Sequence, residues 1–228
     1  MLPSTSVYHN SSTSFHTSCS ARTNAAVKAD PKEYLEATDQ ETYAILKHDM
    51  LVYKNFISKE EENSLFEEVE PNLKRLRYEA SHWDDAIHGY RETERKNWRE
   101  ANRSVLNRVR QLAFPPGVAQ LAYTHVLDLS KSGVIKAHID SVRFCGTTIA
   151  GLSLLSPAVM RLVCDADKSK FADVLLQPRS LYIMRNRARY EYTHEVLGEA
   201  DSKFRGEKVP RDRRISIICR NEPAEEIT

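Results

Sequence analysis

The sequence has 228 residues, of which 41% are hydrophobic and 29% are charged, as expected for one globular domain with a sizeable core. No apolar run approaches the roughly 20 residues that a membrane-spanning helix needs, so we expect no integral membrane contact. The formal net charge of +1 argues against a protein that depends mainly on electrostatic attraction to nucleic acid.

The N-terminal segment differs in composition from the rest of the chain. Residues 1–29 contain no Asp or Glu, but seven Ser, four Thr and two cations, Arg22 and Lys28. An acid-free, Ser-rich N terminus is typical of a mitochondrial transit peptide, and a plain disordered tail is the alternative. We therefore predict a transit peptide at 1–29, a location in the mitochondrial matrix, and a single domain at 30–228.

Two amphipathic helices are predicted in the first half of the domain. Ser58 and Glu61 have the spacing of a capping box, and the helix that they begin is expected to end at Pro71, which lacks an N–H donor. A second helix, at about 101–113, has apolar residues on one face and ends before a Pro-Pro-Gly sequence. Residues 30–49 are interpreted as a leading arm.

After Gly117 the pattern changes to short β-rich runs separated by Gly, Pro, Asp and Ser. These runs lie at about 121–129, 134–139, 147–155, 159–163, 173–176, 181–184, 190–196 and 214–220. Eight short strands without long helices between them predict an antiparallel sandwich or jelly roll. The predicted fold class is therefore α+β, in which a helical part at about 50–116 buttresses a β core at about 120–222.

His138 and Asp140 close one of these strands. Side chains two residues apart in a strand point to the same face, so the imidazole and the carboxylate lie side by side. Together they form two-thirds of the 2-His-1-carboxylate set that holds Fe(II) and leaves coordination positions open. His194, in a later strand, is the best-placed third ligand. A His-x-Asp tripeptide is common, however, and a surface His beside an Asp is the alternative.

The last strand carries charge on a face that the jelly roll would bury. Arg214, Ser216 and Arg220 share one face, and apolar residues occupy the other. Burying an arginine costs several kcal/mol unless an anion meets it. Six residues at about 3.3 Å span about 20 Å, a separation that two arginine side chains and a five-carbon dicarboxylate could bridge. The alternative is an edge strand whose arginines face solvent.

The order His138-x-Asp140, His194, Arg214-x5-Arg220 resembles the AlkB-type Fe(II)/2-oxoglutarate dioxygenases. The resemblance covers about residues 50–222 and extends to the sequences at 133–141, 151–157, 180–184 and 213–220. It implies a double-stranded β-helix, or jelly roll, with iron bound by the two histidines and the aspartate. It also implies that Arg214 pairs with the distal carboxylate of 2-oxoglutarate and that Arg220 lies near its other end. Tyr182 is either a further hydrogen-bond donor to 2-oxoglutarate or a core tyrosine.

The reaction implied by the resemblance uses Fe(II), 2-oxoglutarate and O2. It couples oxidative decarboxylation of 2-oxoglutarate, which yields succinate and CO2, to oxidation of a substrate C–H bond. Two alternatives stay open at this stage: a non-catalytic scaffold that binds 2-oxoglutarate, and a non-redox zinc site at the same ligands.

Two departures from the family pattern bear on the cosubstrate and the substrate. The Asn-x-Tyr pair of many members is absent from 127–130, and the polar segment at 77–100 shows no lid of the kind that grips a flipped base. We therefore expect a protein or metabolite substrate rather than RNA or DNA. Demethylation of nucleic acid is the alternative, since basic stretches at 185–189 and 203–213 could follow a phosphate backbone. Trp83, Tyr90 and Trp98 could stack on a base, although packing is the simpler role.

Overall fold

The computed structural model describes residues 27–83 and 85–223. Most of the predicted transit peptide, up to position 26, lies outside these residues, and its cleavage stays a prediction. The end of that segment belongs to the folded domain, because the Ala29 amide donates to the Val52 carbonyl at 2.9 Å and Lys28 forms a β-bridge with Tyr53.

The described chain combines five helices with twelve strands. The helices are α1 (Pro31–Tyr34), α2 (Gln40–Asp49), α3 (Lys59–Leu73), α4 (Glu100–Ala113) and α5 (Asn186–Tyr190). The strands are β1 (Leu35–Ala37), β2 (Met50–Tyr53), β3 (Ile87–Arg95), β4 (Thr124–His138), β5 (Thr148–Leu154), β6 (Ala158–Cys164), β7 (Phe171–Leu176), β8 (Leu181–Arg185), β9 (Tyr192–Val196), β10 (Lys203–Phe204), β11 (Glu207–Lys208) and β12 (Arg214–Arg220). None of the helices in the described ranges is long and apolar enough to cross a membrane.

The strands form a curled antiparallel sheet in the order β1-β7-β6-β9-β4-β12-β5-β8-β2, with β3 added alongside β4. This arrangement confirms the predicted α+β class and the jelly-roll core. A separate hairpin, β10–β11, lies before β12.

Strand β4 joins the two halves of the core. Its first half pairs with β12, and its second half pairs with β9. The sequence pattern predicts two strands here, at 121–129 and 134–139, because Gly133 lies between them. The chain instead continues as one strand, and Gly133 permits close approach to β3, since a Cβ on it would lie 2.6 Å from the Gly89 carbonyl oxygen.

Helices α3 and α4 buttress the sheet as predicted. Leu65 and Val69 of α3 and Val109 of α4 belong to one buried cluster with the outward apolar face of β12. The Ser58–Glu61 capping box is present. The expected end of α3 at Pro71 was wrong, because the helix continues to Leu73. A proline in the last turn removes a single backbone hydrogen bond, and burial of Leu73 against the core offsets that loss.

Two segments are more ordered than the sequence suggested. The leading arm at 30–49 holds α1, β1 and α2, whose helices begin at the N-caps Asp30 and Asp39. The polar segment at 77–100 contains β3, which extends the sheet along β4. Strand β3 was missed because its side chains are mostly polar and only Tyr90 is fully buried, so the alternation typical of a strand is weak.

Candidate metal centre and cosubstrate cavity

The three candidate metal ligands meet where β4 and β9 pair. His138, the last residue of β4, lies in register opposite His194 of β9, and Asp140 follows two residues after His138. The Asp140 Oδ1 atom is 3.3 Å from Nε2 of His138 and 3.7 Å from Nε2 of His194. One ligand atom from each residue lies within 4.8 Å of the others, which is the arrangement that a single metal ion requires.

The protonation states of Asp140 and His194 suit metal binding. Burial alone would raise the pKa of Asp140, but the hydrogen bond with His138 and the charge of Arg220 hold that pKa well below its usual range. Burial lowers the pKa of His194 to about 4. An ionised carboxylate and neutral imidazoles are the forms that ligate a divalent cation.

A small cavity of about 60 Å³ extends inward from the triad. Tyr182, Arg214 and Ser216 line it together with the three ligands. The charged face of β12 therefore points into the core, towards the candidate metal ligands. An edge strand with solvent-facing arginines is excluded, since Arg214 is 1% exposed.

Arg214 is a buried cation without a protein carboxylate among the described residues. Its guanidinium donates to Ser216 Oγ at 2.6 Å and to Ser153 Oγ at 2.8 Å, and its Nε has no hydrogen-bond partner. Burial lowers its pKa to about 10. A guanidinium that is fully desolvated and incompletely hydrogen-bonded fits an anionic ligand, and a carboxylate accepts two parallel bonds from it. The residues present thus fit 2-oxoglutarate as well as the metal.

The partner of Arg220 differs from the expectation that both arginines pair with the carboxylates of an external dicarboxylate. Its Nε donates to Oδ2 of Asp140 at 3.1 Å, so the protein itself supplies a carboxylate. Arg220 still lines the inner cavity, next to the triad. Its burial is therefore explained by Asp140, whereas the burial of Arg214 is not explained by any acidic partner in the described chain.

Tyr182 lies on β8, and its ring covers Gly151 on the adjacent strand β5. The side chain is 5% exposed and lines the inner cavity, and burial raises the pKa of its hydroxyl. The phenol therefore stays protonated at neutral pH and is able to donate a hydrogen bond into the cavity.

A larger open cleft of about 640 Å³ leads from solvent to the triad. Its walls come from β3, from the segment before β3 and from the loop after β4. The described residues that line it are His82, Trp83, Ala86, Ile87, Glu92, Thr93, Glu94, Leu121, His125, His138, Ile139, Asp140, Ser141, Phe144, Cys145 and Arg220.

The sequence pattern predicted no role for His125 or Glu92. Both line this cleft, and His125 also lines the inner cavity. His125 Nε2 is 2.7 Å from Oε2 of Glu92, and His125 Nδ1 is 3.3 Å from Arg220. A sequence signal existed for the histidine: the period of two in β4 places His125 on the same face as Leu127, and both line the inner cavity. Glu92 gave no comparable signal, because β3 itself was not predicted.

Comparison with known proteins agrees with this geometry. A model of the 2OG-Fe(II) oxygenase superfamily matches residues 49–220. The chain is 50% identical over 190 residues to the alpha-ketoglutarate-dependent dioxygenase alkB homolog 7, mitochondrial, of Mus musculus, which covers 83% of this chain and 86% of the relative. The protein of the same name from Bos taurus is 53% identical over 173 residues, or 76% of this chain and 78% of the relative.

Among solved structures, that of OsALKBH1 has a TM-score of 0.55 at 14% identity, covering 75% of this chain and 97% of that chain, which supports the fold alone. Both curated relatives are named as mitochondrial, in agreement with the location predicted from the N terminus. The family also decides between the metals, since its members use Fe(II) rather than zinc. The chain therefore belongs to the 2OG-Fe(II) oxygenase superfamily and is a 2-oxoglutarate-dependent dioxygenase.

Proposed function

We propose that this dioxygenase hydroxylates a protein or a small metabolite in mitochondria. Bound Fe(II), with O2 and 2-oxoglutarate, supplies the oxidising power for a C–H bond. The chain's own residues do the rest: the triad holds the metal at the base of the cleft, Arg214 anchors the cosubstrate in the inner cavity, and the open cleft admits the substrate.

The observation that carries the proposal is the charge of the cleft. Three carboxylates line it, from Glu92, Glu94 and Asp140, but the described lining contains a single arginine and no lysine. That arginine, Arg220, is already paired with Asp140. A nucleic-acid substrate brings a phosphate at every nucleotide, and proteins meet those phosphates with Lys and Arg. The walls of this cleft favour a neutral or cationic substrate.

The aromatic residues that could have stacked on a base are mostly used elsewhere. Tyr90 is 2% exposed, and Trp98 packs against the core cluster below α3 and α4. Trp83 is 88% exposed at the cleft, and Phe144 is 75% exposed in the loop after β4. Two exposed aromatic side chains in the lining of the cleft offer apolar contact to a polypeptide or a small molecule.

Four of the cations in the late basic stretches are paired or buried within the protein. Arg187 pairs with Glu191 at 2.8 Å, and Arg213 binds both Glu70 and Asp128. Arg189 and Arg211 are buried. These cations therefore contribute little to an exposed phosphate-binding surface, which supports the proposal.

Two measurements test the proposed substrate class. Binding of single-stranded RNA across a salt series is expected to be absent or independent of salt, whereas a steep salt dependence would favour nucleic acid. Mass spectrometry then compares mitochondrial proteins, metabolites and RNAs from cells that express wild type or His138→Ala. Gain of one oxygen atom on a protein or metabolite supports the proposal. Loss of methyl groups from RNA, with no oxygen gained elsewhere, would contradict it.

A further inference from the structure

A chain of hydrogen bonds runs from the outer cleft to the metal-binding carboxylate. Glu92 contacts His125, His125 contacts Arg220, and Arg220 contacts Asp140. The three distances, in that order, are 2.7, 3.3 and 3.1 Å. None of these side chains is fully exposed: Arg220 and His125 are 22% and 17% exposed, and Asp140 is 13% exposed.

Strand register in the sheet brings Glu92, His125 and Arg220 together. His125 of β4 lies opposite Glu94 of β3 on one side and opposite Ile218 of β12 on the other. Glu92 and Arg220 are each two residues from those partners, so they share the face of His125 and reach it diagonally. The arrangement therefore follows from strand pairing, without help from a flexible loop.

The chemistry of the contacts defines the state of the imidazole. A guanidinium only donates hydrogen bonds, so Nδ1 of His125 must accept from Arg220 and carry no proton. The single ring proton then lies on Nε2 and is donated to the Glu92 carboxylate. That hydrogen bond lowers the pKa of Glu92, which keeps the acceptor ionised. Each group in this series of hydrogen bonds therefore acts only as a donor or only as an acceptor towards a given neighbour.

Arg220, at the inner end of this series of hydrogen bonds, orients a metal ligand. Arg220 binds Oδ2 of Asp140, whereas Oδ1 faces the imidazole nitrogens of His138 and His194. The guanidinium therefore leaves one carboxylate oxygen for the metal and occupies the other. Partners that orient metal ligands in this way commonly change metal affinity by about tenfold or more when they are removed.

We propose that His125 and Glu92 are positioning residues, which hold Arg220 in the orientation that presents Oδ1 of Asp140 to the metal. Neither residue has a hydrogen bond to a metal ligand among the described contacts; both act through the arginine. The proposal does not depend on the identity of the substrate, because metal affinity is measured without one.

Affinity for Mn(II), a redox-inert stand-in, tests the proposal by calorimetry on the full-length protein. His125→Phe and Glu92→Ala are expected to raise the Kd for Mn(II) about tenfold. Glu92→Gln keeps an oxygen that accepts from Nε2 and is expected to stay within about twofold of wild type. Tyr90→Phe is the matched control, since it removes a hydrogen bond to Glu79 from the same strand and keeps the ring that packs against His82.

The comparison among variants separates positioning from general stability. The proposal fails if Glu92→Ala weakens Mn(II) binding less than about threefold relative to Tyr90→Phe, or if Glu92→Gln weakens it as much as Glu92→Ala. If His125→Phe does not fold, the Glu92 pair decides alone. If wild type hydroxylates none of the tested proteins and metabolites, the proposed substrate class is wrong. The positioning roles of His125 and Glu92 would still hold in that case, provided that the variants show the predicted Mn(II) affinities.

Discussion

Gly151 and Tyr182 are cross-strand partners in the β5–β8 pair, and the phenol ring lies directly over the glycine. A Cβ added at Gly151 would lie 2.6 Å from the Tyr182 hydroxyl oxygen and 2.4 Å from the ring, which is closer than such contacts allow. The absence of a side chain at Gly151 therefore determines where the tyrosine hydroxyl sits in the inner cavity. This relationship offers a way to decide whether Tyr182 binds the cosubstrate or only fills the core.

Gly151→Ala is expected to displace the Tyr182 ring and so to remove the hydrogen bond from its hydroxyl to 2-oxoglutarate. Loss of one such hydrogen bond is expected to weaken 2-oxoglutarate binding by about five- to tenfold. Tyr182→Phe, which removes the hydroxyl and keeps the ring, is expected to weaken it by a similar factor. Calorimetric titration of Mn(II)-loaded protein with 2-oxoglutarate measures both. Unchanged affinity in Tyr182→Phe would show that the tyrosine is only a core residue.

Arg214→Met is expected to separate stability from cosubstrate binding. The arginine is buried without an acidic partner in the described chain, so an apolar side chain of similar length is expected to leave the unfolding free energy of the ligand-free protein unchanged or higher. Affinity for 2-oxoglutarate is expected to fall about 100-fold, since charge-assisted hydrogen bonds are lost. Thermal melts with and without 2-oxoglutarate measure both effects. A variant that 2-oxoglutarate still stabilises like wild type would contradict the assignment.

His138→Ala is expected to reduce succinate release from 2-oxoglutarate to the level without enzyme, because two ligands do not hold the metal in a defined geometry. His48→Ala is the matched control, since that side chain is exposed on α2, away from the cavities. The assay contains Fe(II), 2-oxoglutarate and O2. Equal turnover in wild type and His138→Ala would mean that the triad is not the catalytic centre.

Arg213→Met is expected to destabilise the fold by about 3 kcal/mol, because it removes a cation from a buried carboxylate. Asp128 is fully buried and binds Arg213, Arg91 and the Tyr78 hydroxyl. Urea unfolding measures the loss. Arg103→Met, at an exposed ion pair on α4, is expected to change stability by less than about 0.5 kcal/mol. Equal effects of the two substitutions would contradict the structural role of Arg213.

Stability is expected to fall at alkaline pH through Tyr34. Burial raises the pKa of this tyrosine to about 12, while the unfolded chain titrates near the ordinary value of 10. Between these values the unfolded state loses the proton and the folded state keeps it, so the unfolding free energy decreases as pH rises. Below pH 10 this contribution to stability is fully present.

The corresponding measurement compares wild type with Tyr34→Phe by urea unfolding from pH 9 to about pH 12. The variant lacks the titrating hydroxyl and its hydrogen bond to the Met50 carbonyl, so it is expected to start less stable and to lose less stability over this range. Parallel pH profiles for the two proteins would show that Tyr34 does not contribute.

Strand periodicity made the core of the site predictable. The spacing of His138 and Asp140, and that of Arg214 and Arg220, decides which side chains share a face, and this property needs no knowledge of distant strands. The position of β3 could not be predicted in the same way, because its side chains are mostly polar and its stability depends on pairing with β4. The continuation of α3 through Pro71 also depends on distant contacts, since the buried side chain of Leu73 holds the last turn.

The sequence by itself determined the chemistry of this protein: two histidines, an aspartate and arginines on one strand face, in an order that resembles the AlkB-type dioxygenases. The tertiary structure alone decided how those groups are partnered. Arg214 lacks an acidic partner in the described chain, whereas Arg220 donates to Asp140, and the strand pattern alone does not distinguish them. It also decided that Glu92 reaches His125 and that His125 reaches Arg220, because diagonal contacts depend on the register of three strands that are far apart in the chain.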